Sequence, residues 1–335
     1  MKYCIWNNKG GVGKTFLTYC LSTTYAARYP EKKIVVADMC PQANISEMLL
    51  GGDGPGEENL NKCFENSRTI ASYIKSRYDR SRFGKIGNEI SYFVRVKDFN
   101  GNIPENLYLL PGDIDLDICS SIIEHMARAP EKRAWEKSRT FLSDIIDVFA
   151  AENKDTVFFI DSNPSFASYT QLGLVAAERI IVPCTADSAS IRGIHNILRL
   201  VFGVKEQSAI DDDIFDEFHS KIHDMGVDPK IHSFVLNKAR TRNSKSSKAY
   251  QAHVDNIGNV TTSYVQKYHH CFSVNPRVYD MKDCNTIAPV IHYNGLPPLG
   301  LSHRKYSVYD ETTQVNESQI TAFMKDLNTV VDSIK

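Results

Sequence analysis

The chain has 335 residues, of which 42% are hydrophobic and 24% charged, so it can bury a large core. Its net charge of −1 at pH 7 excludes a globally basic nucleic-acid-binding protein, although a local basic patch remains compatible. No apolar run approaches the ~20 residues that span a bilayer, and the eight cysteines form no CxxC pair. We therefore expect a cytoplasmic protein with reduced thiols and no membrane attachment.

A glycine-rich segment joins the first two predicted elements. Apolar residues predict a buried strand over Lys2–Asn7, and Leu17, Leu21 and Tyr25 stand at helical spacing within a helix predicted over Lys14–Arg28. The segment that follows the strand and continues into the first turn of the helix consists of Lys9, Gly10, Gly11, Val12, Gly13, Lys14, Thr15 and Phe16.

This strand–turn–helix context predicts a phosphate-binding loop rather than an ordinary glycine turn. Glycines let backbone N–H groups approach phosphate oxygens, and the helix N-terminus adds a positive dipole end. Lys14 can reach the β- and γ-phosphates, and Thr15 can ligate Mg²⁺. The expected cofactors are ATP and Mg²⁺.

The second lysine of the loop is not needed by a simple phosphate-binding loop. The string Lys-Gly-Gly-Val-Gly-Lys-Thr resembles the deviant Walker A loop of the ParA/MinD family of P-loop ATPases. The resemblance implies that Lys9 reaches the nucleotide of a partner subunit, and hence a homodimer. It also implies that the catalytic residues are Lys9, Lys14 and Asp38. The residues expected to bind the nucleotide are Gly10–Phe16 and Asn237.

The second predicted strand, Lys33–Asp38, ends in a carboxylate and leads into a second resemblance. Pro41, Gln42 and Asn44 match the family pattern Asp-x-Asp-Pro-Gln-x-Asn, but Cys40 stands where the second aspartate is usual. In the family that aspartate orients the attacking water. A thiol with an ordinary pKa of roughly 8.5 is a poor substitute. We expect ATP binding with slow hydrolysis, unless a neighbouring carboxylate such as Asp38 compensates.

The stretch that follows is least like the family. Residues 51–66 are rich in Gly, Asn and Glu and predict a loop, and residues 67–80 predict a basic helix. Alternation over Glu89–Asp98, followed by Asn100-Gly101, predicts a hairpin. We interpret residues 60–103 as an elaboration of one domain that covers residues 1–335.

Continuous apolar strands are predicted further along the chain, at Asn106–Pro111, Thr156–Asp161, Arg179–Pro183 and His232–Leu236. Strands of this kind that alternate with helices predict an α/β fold, with a mostly parallel twisted sheet covered by helices on both faces. The resemblance specifies a P-loop NTPase of the deviant Walker A type, with an insertion after the second strand. Ligands in such folds bind at the carboxyl ends of strands.

Asp161 ends its strand in a Walker B pattern, which predicts a magnesium ligand together with Thr15; the alternative is a cap for the next helix. After it, Ser162-Asn163-Pro164 resembles the family switch Asp-x-Pro-Pro, with Asn163 in place of the first proline. Because proline fixes φ, its loss predicts a looser switch.

Asn237 ends the last of these strands. The resemblance implies that its amide reads the adenine amino group, and the alternative is a turn-forming residue. A basic stretch follows, comprising Lys238, Arg240, Arg242, Lys245 and Lys248, and a second basic stretch runs from Arg68 to Lys85. For both, non-specific contact with DNA phosphates and a solvated face stay open.

The C-terminal segment Ser318–Lys335 is amphipathic, with a polar face that carries as many aspartates as lysines, so it predicts a core-packing rather than a membrane-binding helix.

The sequence is compatible with two functions. One is a partition or positioning ATPase that dimerises around MgATP and answers to a protein partner. The other is an ATP-gated scaffold or regulatory subunit of a mobile-element or defence-type complex, with little turnover.

Overall fold

The computed structural model describes residues 1–80, 83–205, 213–237, 248–281 and 286–334, and of residues 213–216 and 248–251 the backbone alone. Within these ranges the strands are β1 Lys2–Ile5, β2 Lys33–Met39, β3 Val94–Arg95, β4 Leu107–Leu110, β5 Thr156–Ser162, β6 Arg179–Thr185, β7 Lys230–Asn237, β8 Phe272–Met281, β9 Arg304–Val308 and β10 Glu311–Val315.

The helices of the same ranges alternate with the strands through most of the chain. They are α1 Lys14–Arg28, α2 Asn44–Leu50, α3 Pro55–Glu65, α4 Ile70–Arg80, α5 Leu116–Ala127, α6 Ala134–Arg139, α7 Phe141–Glu152, α8 Ser168–Ala176, α9 Ser188–Phe202, α10 Asp213–Asp224, α11 Lys248–Lys267, α12 Ile287–Asn294 and α13 Glu317–Val331.

The central sheet has the strand order β3-β4-β2-β5-β1-β6-β7-β8 over the described residues. Its pairs are parallel except for β3 with β4, which confirms the predicted mostly parallel α/β fold. Because the strands are parallel, their carboxyl ends meet at one edge. The glycine-rich loop, Asp38, Asp161 and Asn237 all lie at that edge, and Asp38 and Asp161 are in register as partners on β2 and β5.

Both faces of the sheet are buried, as expected from strands without alternation. Along β1 and the residue after it, Tyr3 and Ile5 belong to one apolar core and Cys4 and Trp6 to the other. The first core includes residues of α1, α2, α12 and α13, and the second includes residues of α5, α7, α8 and α9. This layering fixes the carboxyl edge between two sets of helices.

The predicted loop over residues 51–66 is wrong, because α3 occupies Pro55–Glu65. Pro55 stands in its first turn, where a missing N–H costs nothing. Leu60 and Cys63 are buried on one face. The composition of the segment resembles a loop because most of its glycines belong to the turn between α2 and α3, where Gly52 and Gly54 have positive φ.

The predicted hairpin is right in its antiparallel pairing and wrong in its extent. Only Val94–Arg95 of the predicted strand pairs with β4, between two short 3₁₀ segments at Glu89–Tyr92 and Val96–Asp98. Asn100 is buried, and its amide donates to the carbonyls of Leu49 and Gly295 at 3.1 and 2.8 Å. The segment is therefore folded onto α2 and the end of α12 instead of projecting as a free ribbon.

The predicted C-terminal helix is confirmed as α13. Its apolar residues Ile320, Phe323, Leu327 and Val330 are buried in the core shared with α1. Among the described residues, every helix is too short or too polar to cross a bilayer.

Asn106 supports the turn between α1 and β2. Its buried amide nitrogen donates to the carbonyls of Ala26, Tyr29 and Lys32 at 2.9–3.0 Å. We expect Asn106→Ala to lower the free energy of unfolding by about 1–3 kcal/mol, because three carbonyls in buried or half-buried positions lose a side-chain donor. Denaturant titration measures this. The exposed Asn102→Ala should change it by under ~0.5 kcal/mol; equal effects of the two variants would contradict the assignment.

Candidate nucleotide-binding site

The glycine-rich loop has the backbone shape that phosphate binding needs. Gly11 and Gly13 have φ of 71° and 82°, a conformation that residues with a Cβ rarely adopt. Helix α1 begins directly after Gly13 without a side-chain cap on its first N–H groups. Uncapped N–H groups at a helix N-terminus attract anions, and here they face a cavity.

Lys14 lies folded back across this loop. Its ammonium donates to the carbonyl oxygens of Asn7 and Lys9 at 3.0 and 2.8 Å. Burial lowers the pKa of Lys14 to about 8, although the negative charge of Asp161 opposes the shift. The side chain is therefore held beside the loop by weak neutral acceptors that an anionic phosphate can displace.

Asp161 and Thr15 are brought together as predicted. The hydroxyl of Thr15 donates to one carboxylate oxygen of Asp161 at 2.8 Å, and Thr18 donates to the other at 3.1 Å. Burial, and then the nearby charge of Asp38, raise the pKa of Asp161. Helix α8 starts at Ser168, so the alternative of a helix-capping Asp161 does not hold.

Lys9 is paired within its own chain. Its ammonium lies 2.5 Å from Asp187 Oδ2 and 2.6 Å from the Thr185 hydroxyl, both at the end of β6. Burial alone would raise the pKa of Asp187, but the hydrogen bonds with Lys9 and Thr185 lower it to about 2. Sequence reasoning missed Asp187, although its place just after an apolar strand was an available signal.

Asp38 is completely buried behind the cavity wall. One of its oxygens accepts from the Cys40 N–H at 3.0 Å, and the other from the N–H and hydroxyl of Ser46 at 3.2 and 2.7 Å. Ser46 in turn accepts from the Gly112 N–H at 2.9 Å. In this structure Asp38 thus fixes the loop between β2 and α2 and ties it to the end of β4.

Cys40 and Asn163, the two departures from the family pattern, contact each other. The Asn163 amide donates to Cys40 Sγ at 3.5 Å, and its Oδ1 accepts from the Ser165 N–H at 2.9 Å. The indole N–H of buried Trp6 donates to the Asn163 carbonyl at 3.1 Å. Burial, and then the charge of Asp38, raise the pKa of the Cys40 thiol to about 11, so it is neutral at pH 7.

Asn237 lies against the glycine-rich loop. Its amide nitrogen is 2.5 Å from the Val12 carbonyl, and a Cβ on Gly13 would approach that nitrogen to 2.5 Å. The glycine at position 13 is therefore required both by its φ and by Asn237. The structure brings Asn237 to the site, with its amide turned toward the protein backbone.

A cavity of about 820 Å³ opens over these residues. The loop residues Gly10, Gly11, Gly13, Lys14, Thr15 and Phe16 line its floor, and one wall comes from Cys40, Gln42, Asn44, Met48, Ser162, Asn163 and Pro164. The opposite wall comes from Ala288, Pro289, His292, Tyr293 and Tyr309 of the C-terminal part, which sequence reasoning missed. No local motif marks those residues, since they reach the cavity through tertiary packing, α12 against α2 and β9 against α12.

The two basic stretches differ in what the structure describes. Lys238, Arg240, Arg242 and Lys245 lie outside the described residues, as does the side chain of Lys248 at the start of α11. In the earlier stretch, Arg77 is buried and paired with Asp144 at 2.5 Å. Arg68 donates to the carbonyls of Ser91 and Phe93. Both arginines therefore have structural partners, which weakens the DNA interpretation of that stretch.

Comparison with known proteins supports the resemblance. The model of the AAA domain family matches residues 2–214, well over half of the chain. A ParA family protein of Mycoplasma genitalium is 23% identical over 245 residues, which cover 73% of this chain and 78% of that protein. A ParA family protein of Chlamydia muridarum is 24% identical over 199 residues, 59% of this chain and 64% of its own length.

Two solved structures share the fold. The ATP complex of a McdA variant from Cyanothece has a TM-score of 0.62 at 13% identity, covering 99% of this chain and 95% of its own. A putative plasmid partition protein of Borrelia burgdorferi bound to AMPPNP has a TM-score of 0.56 at 14% identity, covering 99% of both chains. Family model, sequence relatives and fold agree, so the chain belongs to the AAA domain family and is a ParA/MinD-like P-loop ATPase.

Proposed function

We propose that the chain binds MgATP in the 820 Å³ cavity and forms a nucleotide-sandwich homodimer that acts as a partition or positioning switch. The observation that carries the proposal is the convergence of Lys14, Lys9 and the Thr15–Asp161 pair on one glycine-rich loop. A simple phosphate-binding site would need Lys14 but would not need Lys9.

The donor set fits Mg²⁺. A hydroxyl and a carboxylate, already 2.8 Å apart, are hard oxygen ligands of the kind that Mg²⁺ prefers. Asp161 is buried and close to Asp38, so a cation at this edge offsets two negative charges. Thr15 and Asp161 would hold the ion, which would supply positive charge to offset that of the phosphates.

Asn237 is our proposed adenine contact. It lies at the end of β7, within hydrogen-bond distance of the loop, and an amide can both donate to and accept from adenine. Its amide must turn from the Val12 carbonyl to do so.

Dimerisation requires Lys9 to change partners. In the isolated chain its ammonium is held by Asp187 and Thr185. A partner subunit's triphosphate is a stronger multi-charge acceptor than one carboxylate at a partly exposed site. We propose that ATP binding in the dimer draws Lys9 away from Asp187, so this ion pair holds the lysine in the monomer.

The proposed partners are DNA and a second protein. Sequence-tolerant DNA binding would use Lys238, Arg240, Arg242, Lys245 and Lys248, and a protein partner would trigger release. We place the protein in the cytoplasm, in line with its cysteines, which are free throughout the described part of the chain. Curated relatives carry the ParA family name, which supports the partition role.

A second candidate is an ATP-gated scaffold with little turnover. The observation that favours it is the neutral Cys40 thiol in the cavity wall, where the family pattern has an ionised carboxylate. ATP would then act mainly as a structural ligand. ATP-dependent DNA binding separates the two, because the positioning switch requires it and the scaffold does not.

Lys14→Ala should weaken ATP binding by roughly 30-fold or more, since losing one partner of a buried charged contact costs about 2–5 kcal/mol. Titration calorimetry measures the affinity with and without Mg²⁺. Thr15→Ala is the matched variant. It should lose mainly the increase in ATP affinity that Mg²⁺ gives to the wild type. Equal ATP affinity in the wild type and Lys14→Ala would remove the site assignment.

Lys9→Ala should abolish or weaken the ATP-dependent dimer while leaving much of the ATP affinity, because Lys9 is expected to contact the other subunit's nucleotide. Sedimentation velocity in saturating MgATP measures the dimer. Lys154→Ala, an exposed lysine before β5 at the opposite edge of the sheet, is the control and should dimerise like the wild type. A wild type that stays monomeric in MgATP would refute the sandwich.

DNA binding by the ATP-bound protein should be sequence-tolerant and fall steeply with salt, because contacts to phosphates release counterions. Replacing Arg240, Arg242 and Lys245 together by alanine should remove it in gel shifts with random duplex DNA.

The control for this experiment removes the same charge elsewhere, through Lys132, Lys154 and Lys325, which are exposed. Salt-insensitive binding to one sequence, or equal losses in the two triple variants, would contradict a localised backbone-binding patch.

A further inference from the structure

We propose that Asn163 orients the attacking water for ATP hydrolysis, in place of the carboxylate that Cys40 has replaced. The inference rests on the proposed function, since it assigns a role within the same cavity. In the reaction, the water oxygen bonds to the γ-phosphorus and the bond from that phosphorus to the β–γ bridging oxygen breaks. ADP leaves, and the released phosphate carries both water protons, one on the attacking oxygen and one transferred to another of its oxygens.

The position of Asn163 supports this role. It lines the cavity together with Cys40, Gly10 and Gly11, and it follows Asp161, the proposed magnesium ligand, by two residues. Its amide is 3.5 Å from Cys40 Sγ. The side chain thus contacts the residue that stands at the position of the usual aspartate.

The chemistry of the side chain is suitable. A proline at position 163, as in the family pattern, has no polar side-chain atom, whereas an asparagine amide offers two N–H donors and a carbonyl with two lone pairs. One donor faces Cys40 and one lone pair is used by the Ser165 N–H, which leaves one donor and one lone pair for a water. An amide orients the attacking water in other P-loop enzymes without acting as a base.

The backbone of Asn163 is held in place. Fully buried Trp6 donates its indole N–H to the Asn163 carbonyl at 3.1 Å, and the Trp6 ring packs against Phe166 with centroids 5.9 Å apart. Trp6 continues β1 into the glycine-rich loop. The asparagine is therefore fixed relative to the phosphate site by a contact between the two segments, which replaces the restraint that a proline would give.

Single-turnover hydrolysis by the full chain in saturating MgATP tests the inference, with ATP affinity measured by titration calorimetry for every variant. Asn163→Ala should lower the rate on the order of 10-fold to 100-fold, at or below the usual effect of removing a positioned base, and leave ATP affinity unchanged. Asn163→Ser retains a hydroxyl for the Ser165 N–H but is too short to reach Cys40, and it should lose the same rate. Ser165→Ala is the control and should hydrolyse like the wild type.

Cys40→Asp should raise the rate by up to ~10²-fold, because it restores an ionised acceptor. With that carboxylate present, Asn163 becomes dispensable, so Cys40→Asp/Asn163→Ala should match Cys40→Asp. The inference is overturned by wild-type hydrolysis in Asn163→Ala, by an equal loss in both backgrounds, or by a loss of ATP affinity that matches the loss of rate. It is also overturned if the wild type fails to turn over while Cys40→Asp does.

If the proposed function itself is wrong, the same experiments give a different result. ATP that does not bind the wild type, or binds Lys14→Ala equally well, removes the nucleotide site and this inference with it. ATP binding that depends on Lys14, with hydrolysis that ignores Asn163, removes the inference alone.

Discussion

Two buried carboxylates at the ends of neighbouring strands organise the carboxyl edge of the sheet. Asp38 and Asp161 are register partners on β2 and β5, and burial raises the pKa of both. Two acids so placed are stable only with donors or cations beside them. The protein supplies donors to Asp38 from the following loop and from α2, and to Asp161 from α1. The loops around the site are consequently attached to these two side chains.

The attachment links the segments that would contact nucleotide. Thr15 and Thr18 join α1 to β5, and Ser46 joins α2 to the segment after β4. Trp6 joins the end of β1 to the segment after β5. These segments of the cavity are thus held to one another by buried or half-buried polar contacts.

The parts of the chain that resemble the family least contribute the outer structure. The segment between β2 and β4 forms α3, α4 and the short antiparallel strand β3 at one end of the sheet. At the C-terminus, α12 and the turn between β9 and β10 bring His292, Tyr293 and Tyr309 to the cavity wall. The floor of the site is thus built from the family motif, and its far wall from residues that lie beyond the range matched by the family model.

The sequence by itself determined the features that local patterns encode. Continuous apolar runs predicted the parallel strands, and the glycine spacing predicted the loop whose Gly11 and Gly13 need positive φ. The aspartate at the end of β5 was predicted beside Thr15, because parallel strand ends share an edge. The sequence also predicted that Cys40, which replaces the usual aspartate, is uncharged at neutral pH, because the ordinary pKa of a thiol lies above about 7.

Tertiary structure decided the rest, because the partners are distant in sequence. Lys9 and Asp187 are 178 residues apart, and Asn163 and Cys40 are 123 apart. Neither contact leaves a periodic pattern. Helix α3 was hidden by a loop-like composition, since its stability comes from burying Leu60 and Cys63 against the core rather than from propensity. Local sequence patterns determined the strands and the glycine-rich loop. Tertiary packing determined which side chains contact one another at the ends of those strands.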